Sequence, residues 1–227
     1  MNTDSTLTLK KWSGPKKFGW FTMLFLSFAL FVLSGSYLSL NPDVFFERQK
    51  AVYVAHPAAI WLHVAGSMLA MIIGPVLFLP VTRKARWLGL HRWMGRFYLL
   101  GVVIGACAGL YLSQLAHGGL IARLGFNTLG WLWLFTAAMA YVHIRNKNIP
   151  LHREWMKRNF AMTFGAVTLR LWLGVFGMFD LEFTRAYAIV AWLSWIPNLL
   201  IIEWTLHQTR PATTRLQPST LTARDSA

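Results

Sequence analysis

Cysteine and acidic residues are scarce in this sequence, and each scarcity excludes a class of protein. The 227 residues include one cysteine, Cys107, so the chain forms no internal disulfide and has no CxxC metal or redox motif. Eight acidic residues stand against 22 lysines and arginines, and charged residues make up only 13% of the chain. Soluble domains are typically about a quarter charged. The composition therefore argues against an ordinary soluble protein.

Signature motifs of several enzyme classes are absent as well. The sequence has no Walker loop, no HExxH, no GxSxG and no pair of carboxylates inside an apolar run, which disfavours hydrolases and primary pumps. The net charge of +14 does not indicate nucleic-acid binding. The basic residues lie in short clusters between apolar runs, not on a basic face with interleaved aromatics. We therefore expect no nucleic-acid partner.

Long apolar runs dominate the remaining sequence, which is 56% hydrophobic with 12 Trp and 16 Phe. A soluble protein of this size has too little interior to bury so much apolar surface, whereas a lipid bilayer solvates it. Each run approaches the ~20 residues that a helix needs to cross ~30 Å of hydrocarbon. The sequence predicts an all-α polytopic bundle of about six transmembrane helices, at 19–40, 57–80, 93–116, 126–144, 155–178 and 186–206.

The distribution of basic residues predicts the orientation. Most lysines and arginines fall in the two tails and in the 81–92 and 145–154 loops, whereas the opposite loops carry only Arg48, Lys50, Arg123 and Arg185. Because cytoplasmic loops are enriched in Lys and Arg, both termini are expected in the cytoplasm, with the protein in a bacterial inner membrane. The expected domains are a cytoplasmic tail over 1–18, a six-span membrane domain over 19–207, and a disordered cytoplasmic tail over 208–227.

Two span starts resemble each other, since LHRWMGR over 90–96 echoes LHREWMKR over 151–158 with one insertion. Both open a span that runs outward. The echo favours a central four-helix unit of two parallel helix pairs, spans 2–3 and 4–5, related by an axis along the membrane normal. Coincidence is the alternative, because His, Arg and Trp are common at membrane interfaces.

The same segments carry a resemblance to a known family. His63, the segments 90–98 and 152–158, and the run AMTFGAVTLRL over 161–171 are similar to a family of bacterial predicted membrane proteins, domain of unknown function 2306. The resemblance covers about 57–174. It implies the same membrane architecture and marks these residues, but it supplies no reaction.

Arg170 and His63 are candidates for a ligand pocket. Arg170 lies a dozen residues beyond Arg158, so roughly 18 Å into the membrane by helical rise. Such a charge usually faces a partner or a cavity. His63 lies six residues into its span from the outer side, and Arg170 lies eight residues from the outer end of its own span. The two side chains are therefore expected at similar depths below the outer surface. The alternatives are an arginine that bonds carbonyls or reaches the outer surface, and a histidine that only packs.

His91 and His152 are candidates for axial ligands of a b-type haem, because they lie at matched heights on spans 3 and 5. His143 could join them, and His63 is a further candidate for cofactor binding. The neighbouring arginines could pair with haem propionates through bidentate hydrogen bonds. Ordinary residues of a basic loop are the alternative for all of these. The candidate propionate partners are Arg92, Arg96, Arg153 and Arg158.

Three hypotheses about function follow. The leading one is a redox protein of the cytochrome b561-like type that binds haem b or a quinone. The second is a small-molecule transporter or ligand-binding membrane protein that uses the His63/Arg170 pocket. The third is a non-catalytic membrane assembly factor. The expected partners are the lipid bilayer and a quinone or another small molecule.

Overall fold

The computed structural model describes residues 14–179 and 181–209 of the chain. Within these residues there are nine α-helices and no strand, which confirms the predicted all-α class. Short 3₁₀ turns connect several of them, including Pro80–Arg83 and Ala85–Trp87. The α-helices are α1 Gly14–Gly35, α2 Lys50–Ala55, α3 Pro57–Leu77, α4 Leu88–Gln114, α5 Gly119–Arg145, α6 Ile149–Thr163, α7 Gly165–Met178, α8 Phe183–Leu193 and α9 Ile196–Thr209.

The two predicted tails fall mostly outside the described residues. Of the tail predicted over 1–18, the structure describes only 14–18, and these belong to α1, which begins at Gly14. Of the tail predicted over 208–227, only 208 and 209 are described, and they end α9. The bounds of the membrane domain stay a prediction.

Five described segments are long and apolar enough to cross a membrane, namely Lys17–Ser39, Pro57–Leu77, Ala85–Gln114, Ile149–Met178 and Phe183–Thr209. α5 is not among the five, but its 27 residues extend over about 40 Å. It connects the end of α4 to the start of α6, and α4 and α6 run parallel, so α5 has to return across the bundle. Polar side chains lower its hydropathy. They are satisfied inside the bundle, as when Asn127 donates to Ser113 at 3.2 Å.

The last two predicted spans are interrupted near their middles, where the sequence predicts continuous helices. Phe164 separates α6 from α7, and Ser194 with Trp195 separates α8 from α9. Pro197 lacks the N–H that would continue α8. Asn198 Nδ2 donates to the carbonyls of Ala161 at 3.3 Å and Ser194 at 3.0 Å. The carboxamide thus satisfies backbone groups at both interruptions, which makes them tolerable in a membrane.

The central unit consists of two helix pairs, α3 with α4 and α5 with α6–α7. That these pairs are parallel copies related by an axis along the membrane normal stays a prediction. The α3–α4 contact is the most extensive in the protein, followed by α5–α6. Glycines allow the first pair to approach closely. A Cβ on Gly66 would lie 2.5 Å from the Gly105 nitrogen and 2.7 Å from the Gly101 oxygen, so only glycine fits there.

The end of the bundle that carries the α3–α4 and α5–α6 connections is called the inner end here, and the opposite end the outer end. Residues 36–56, between α1 and α3, fold over the outer end as 3₁₀ turns and the short α2. Aromatic contacts hold this outer segment together: the rings of Tyr37 and Phe45 are 5.4 Å apart, and those of Phe45 and Tyr53 are 5.6 Å apart. It is anchored to the bundle where Phe46 meets Phe183, with the ring centroids 5.4 Å apart.

Reporter fusions test the predicted orientation and the sixth crossing by α5. Fusions after Leu40, Ala116 and Met178 are expected to report the periplasm, and fusions after Pro80, Ile144 and His207 the cytoplasm, because the basic connections stay on the cytoplasmic side. The fusions after Ala116 and Ile144, which flank α5, decide whether α5 crosses the membrane. If the Ala116 and Ile144 fusions report the same side, α5 does not cross the membrane.

Candidate ligand-binding cavity

A cavity of about 480 Å³ occupies the outer half of the bundle. Its walls come from α1, α3, α4, α5, α6–α7 and α8, and the outer segment contributes to them at the outer end. The volume falls in the range of small-molecule pockets. Most lining side chains are apolar, and the polar ones are Ser34, Tyr37, Gln49, Tyr53, His63, Ser67, Ser113, Thr163, Arg170 and Tyr187. The structure thus brings His63 and Arg170 to one cavity; their role in binding stays a prediction.

His63 is held in one tautomer by the neighbouring helix. Its Nδ1 lies 2.8 Å from the carbonyl oxygen of Gly105. A carbonyl only accepts, so Nδ1 carries the hydrogen and Nε2 is left as an acceptor. Gly109 makes room for the ring, because a Cβ there would lie 2.9 Å from the His63 Nδ1. The imidazole is therefore oriented by α4 and keeps Nε2 for a partner.

Arg170 has no acidic partner within the described residues: neither Asp nor Glu of 14–179 and 181–209 lies within 4 Å of its guanidinium. Its Nη1 donates to the carbonyl of Ala166 at 2.9 Å, one turn earlier on α7. The charge also lies close enough to His63 to act on the imidazole. Arg170 thus brings an uncompensated positive charge and several free donors to the cavity wall.

Phenols surround Arg170 at the outer end of the cavity. Burial raises the pKa of Tyr53, the nearby Tyr187 and Tyr37 raise it further, and the charge of Arg170 opposes them. The Tyr53 phenol is therefore neutral at physiological pH and cannot cancel the charge of Arg170. The buried Gln49 of the outer segment and Tyr187 of α8 both line this part of the cavity. The outer end of the cavity is thus polar but carries no negative group among the described residues that line it.

A buried hydrogen-bond network lies beneath the cavity, and sequence reasoning missed it. Tyr98 on α4 donates to Asn159 Oδ1 at 2.7 Å, and its hydroxyl lies 2.9 Å from Thr163 Oγ1. The indole of Trp133 donates to the same Thr163 oxygen at 2.9 Å. Asn159 Nδ2 donates to the Trp133 carbonyl and to Thr136 Oγ1, both at 2.8 Å. Because Trp133 and Thr163 also line the cavity, the network forms its polar floor.

The signal that could have revealed this network is an asparagine and a threonine four residues apart inside a span. Asn159 directly follows Arg158, the last basic residue of the start of α6, and Thr163 lies about one turn later on the same face. Polar residues within a membrane span usually face the bundle interior. Tyr98, their partner on α4, also belongs to the residues that carry the family resemblance.

His91 and His152 lie at the inner end and do not line the cavity. Nδ1 of His152 donates to the carbonyl of Ala140 at 2.8 Å. Nδ1 of His91 lies 3.3 Å from Thr82 Oγ1, which itself donates to the Leu79 carbonyl at 2.8 Å, so His91 is the donor to Thr82. Both imidazoles therefore leave Nε2 free. The prediction that they ligate haem stays a prediction.

Of the four arginines predicted to bind propionates, Arg158 already has acidic partners. Its Nη2 donates to Glu203 Oε2 of α9 at 2.9 Å, its Nη1 is 3.6 Å from Glu154, and the Trp155 ring lies 4.7 Å away. Arg158 thus forms an ion pair with Glu203, which the sequence did not predict. Its role in binding a propionate stays a prediction. Arg92, Arg96 and Arg153 are exposed, and Arg96 lies 4.6 Å from the ring of Trp93.

Comparison with known families agrees with this architecture. The model of a family described as a predicted membrane protein, DUF2306, matches residues 60–206, more than half of the chain. The chain belongs to the DUF2306 family. The DUF2306 match extends beyond the predicted 57–174 to cover α8 and most of α9, and it includes both His63 and Arg170. α1 and the outer segment lie before it. No curated protein and no solved structure matches the chain.

Proposed function

We propose that this DUF2306 membrane protein binds an amphiphilic small molecule in the outer cavity. The ligand has an apolar body and a head with a carboxylate or carbonyl oxygen, which accepts hydrogen bonds from Arg170. The observation that carries the proposal is an arginine without an acidic partner in the described residues, on the wall of a largely apolar cavity that also contains His63.

The positive charge of Arg170 supports a ligand with an anionic or strongly polar head. An arginine inside the membrane costs about 2.5 kcal/mol or more on insertion scales, so it is retained where it has a partner or a function. The Ala166 carbonyl accepts from one nitrogen of the guanidinium, and neither it nor the neutral phenols nearby compensate the charge. An anionic or strongly polar oxygen of a ligand completes the site, since charge-assisted bonds to a guanidinium are the strongest available.

The shape of the cavity supports an apolar body. Toward the middle of the membrane its lining includes Met68, Met71, Ala106 and Met162, which offer only apolar atoms to a ligand. Methionine adapts to varied apolar shapes. The wall also includes Gly165, beside the interruption between α6 and α7. Interrupted helices next to a midplane site are typical of transporters, so movement of the ligand across the membrane is consistent with the proposal.

Binding of a matched pair of probes tests the proposal. Dodecanoate and 1-dodecanol have the same tail, but only dodecanoate carries a carboxylate. Dodecanoate is expected to raise the midpoint of thermal unfolding of the purified protein, whereas 1-dodecanol has little effect. Arg170→Gln should weaken dodecanoate binding by roughly tenfold or more, because a charge-assisted hydrogen bond is lost. Arg170→Lys should also weaken it, since the planar fork is lost although the charge remains.

Arg123→Gln provides the control for this experiment. Arg123 lies near the outer end on α5, is exposed and does not line the cavity, so its removal changes the net charge equally without touching the site. Equal losses in the Arg123 and Arg170 variants would show that the probe responds to charge alone, and the proposal would fail.

The redox alternative has weaker support. His91 and His152 both keep Nε2 free for a metal, but Arg158 is already paired with Glu203. If a b-type haem binds there, protein from haem-replete cells shows a Soret band that His91→Ala or His152→Ala removes while the protein still inserts. A colourless, folded protein would exclude this alternative. The described residues offer no observation that favours the assembly-factor hypothesis.

A further inference from the structure

Two arginines and two histidines lie at the inner end, apart from the cavity. They are Arg83 and His91, from the α3–α4 connection and the start of α4, and His152 and Arg153, from the start of α6. We call them the inner basic cluster. Its two halves come from different helix pairs.

The hydrogen bonds deeper in the bundle place the two histidines opposite each other. His91 precedes Tyr98 by seven residues and His152 precedes Asn159 by seven, and seven residues are almost two helical turns. Each histidine therefore lies on the same helix face as the residue two turns later. Because Tyr98 donates to Asn159 at 2.7 Å and the helices are parallel, the histidines face each other as well.

The α3–α4 connection fixes Arg83 beside this pair. Thr82 bonds both the Leu79 carbonyl and His91, which holds the turn against α4. Arg83 Nη2 donates to the Phe78 carbonyl at 3.4 Å. Burial lowers the pKa of Arg83, and so does the charge of Arg153 nearby. The charge of Arg153 therefore acts on Arg83 across the two halves of the cluster.

Three other arginines at the inner end contact aromatic or acidic side chains. Arg86 lies 4.9 Å from the Trp87 ring, Arg145 Nη1 donates to the Tyr141 hydroxyl at 3.2 Å, and Arg158 bonds Glu203. In contrast, no carboxylate within 14–179 or 181–209 lies within 4 Å of Arg83 or Arg153. The cluster thus concentrates positive charge with no compensating negative group in the described part of the chain.

We infer that the inner basic cluster binds a phosphate group, either that of an anionic lipid headgroup or that of a small phosphate. A phosphate offers several acceptor oxygens and up to two negative charges, which match two guanidinium forks. The Nε2 atoms of His91 and His152, left free by the bonds at Nδ1, add polar atoms to the cluster. Basic sites between transmembrane helices on the positively charged side of a membrane protein suit lipid phosphates.

Binding of phosphatidic acid tests the inference on the full-length protein in mild detergent. Dioctanoyl phosphatidic acid is expected to bind, as seen by native mass spectrometry, whereas dioctanoylglycerol, which lacks the phosphate, is not. The double variant Arg83→Gln/Arg153→Gln should bind at least roughly tenfold more weakly. The control double variant Arg86→Gln/Arg145→Gln removes the same charge from the same end and should bind within about twofold of the unaltered protein.

Competition with inorganic phosphate distinguishes a lipid headgroup from a free phosphate as the group that binds. Displacement of the lipid by inorganic phosphate at millimolar concentration would assign the site to a free phosphate, and resistance to it would assign the site to the lipid headgroup. Equal losses in the two double variants, or equal binding of both lipids, would overturn the inference. A Soret band that His91→Ala removes would also overturn it, because haem would then occupy the cluster.

Discussion

Replacing Gly66 by alanine is expected to destabilise the protein by about 3 kcal/mol, the upper end of the usual cost of overpacking. The new Cβ would lie 2.5 Å from the Gly105 nitrogen and 2.7 Å from the Gly101 oxygen. These are backbone atoms, which cannot rotate away as a side chain does. α3 and α4 would have to separate, and His63, one turn from Gly66, would lose its bond to Gly105. Stability and binding in the outer cavity should therefore fall together.

Gly95→Ala is the matched control, because a Cβ at Gly95 on α4 meets no atom within 4 Å. Alanine stabilises a helix interior by about 0.8 kcal/mol relative to glycine, so this variant should be as stable as the unaltered protein or slightly more. Thermal unfolding in one detergent compares the two. Similar unfolding midpoints for the Gly66 and Gly95 variants would contradict the close approach of α3 and α4.

Replacing Asn159 by leucine is expected to lower the free energy of unfolding by about 2–3 kcal/mol, which is the second large effect. Leucine has the same branched shape and number of side-chain heavy atoms, but it is larger and has no polar atoms. Tyr98 loses an acceptor, while Thr136 Oγ1 and the Trp133 carbonyl lose a donor. Asn159 is completely buried, so water cannot replace these partners without opening the bundle. The floor of the cavity should loosen as well, because Trp133 and Thr163 line it.

Two further variants separate a lost network from a general effect of leucine. Asn127→Leu removes a half-buried amide with one side-chain bond, to Ser113 at 3.2 Å, and should cost less than about 1 kcal/mol. In Asn159→Leu, Thr136 Oγ1 keeps its own bond to the Leu132 carbonyl at 2.8 Å and loses only the donor from Asn159. Adding Thr136→Val removes this unmatched acceptor and should restore up to about 1 kcal/mol. If Asn127→Leu destabilises as much as Asn159→Leu, the network does not account for the loss.

The interrupted helices and the Arg158–Glu203 pair show where sequence reasoning stops. Hydropathy is averaged over a window of residues, so it does not detect the single residue, Phe164, that separates α6 from α7. Glu203 lies 45 residues from Arg158, and nothing local to either residue indicates the pairing. Both features depend on how α6–α7 packs against α8–α9, which a one-dimensional pattern does not contain.

The orientation of the helices and the similar depths of His63 and Arg170 stay predictions. By itself the sequence determined the membrane class and the all-α architecture. Those properties are local, because a helix satisfies its own backbone in lipid and rises 1.5 Å per residue. Tertiary structure decided which faces meet. Only it showed that His63 and Arg170 line one cavity and that Asn159 forms the cavity floor with Tyr98. The rotation of each helix about its axis sets these contacts, and packing of the whole bundle sets that rotation.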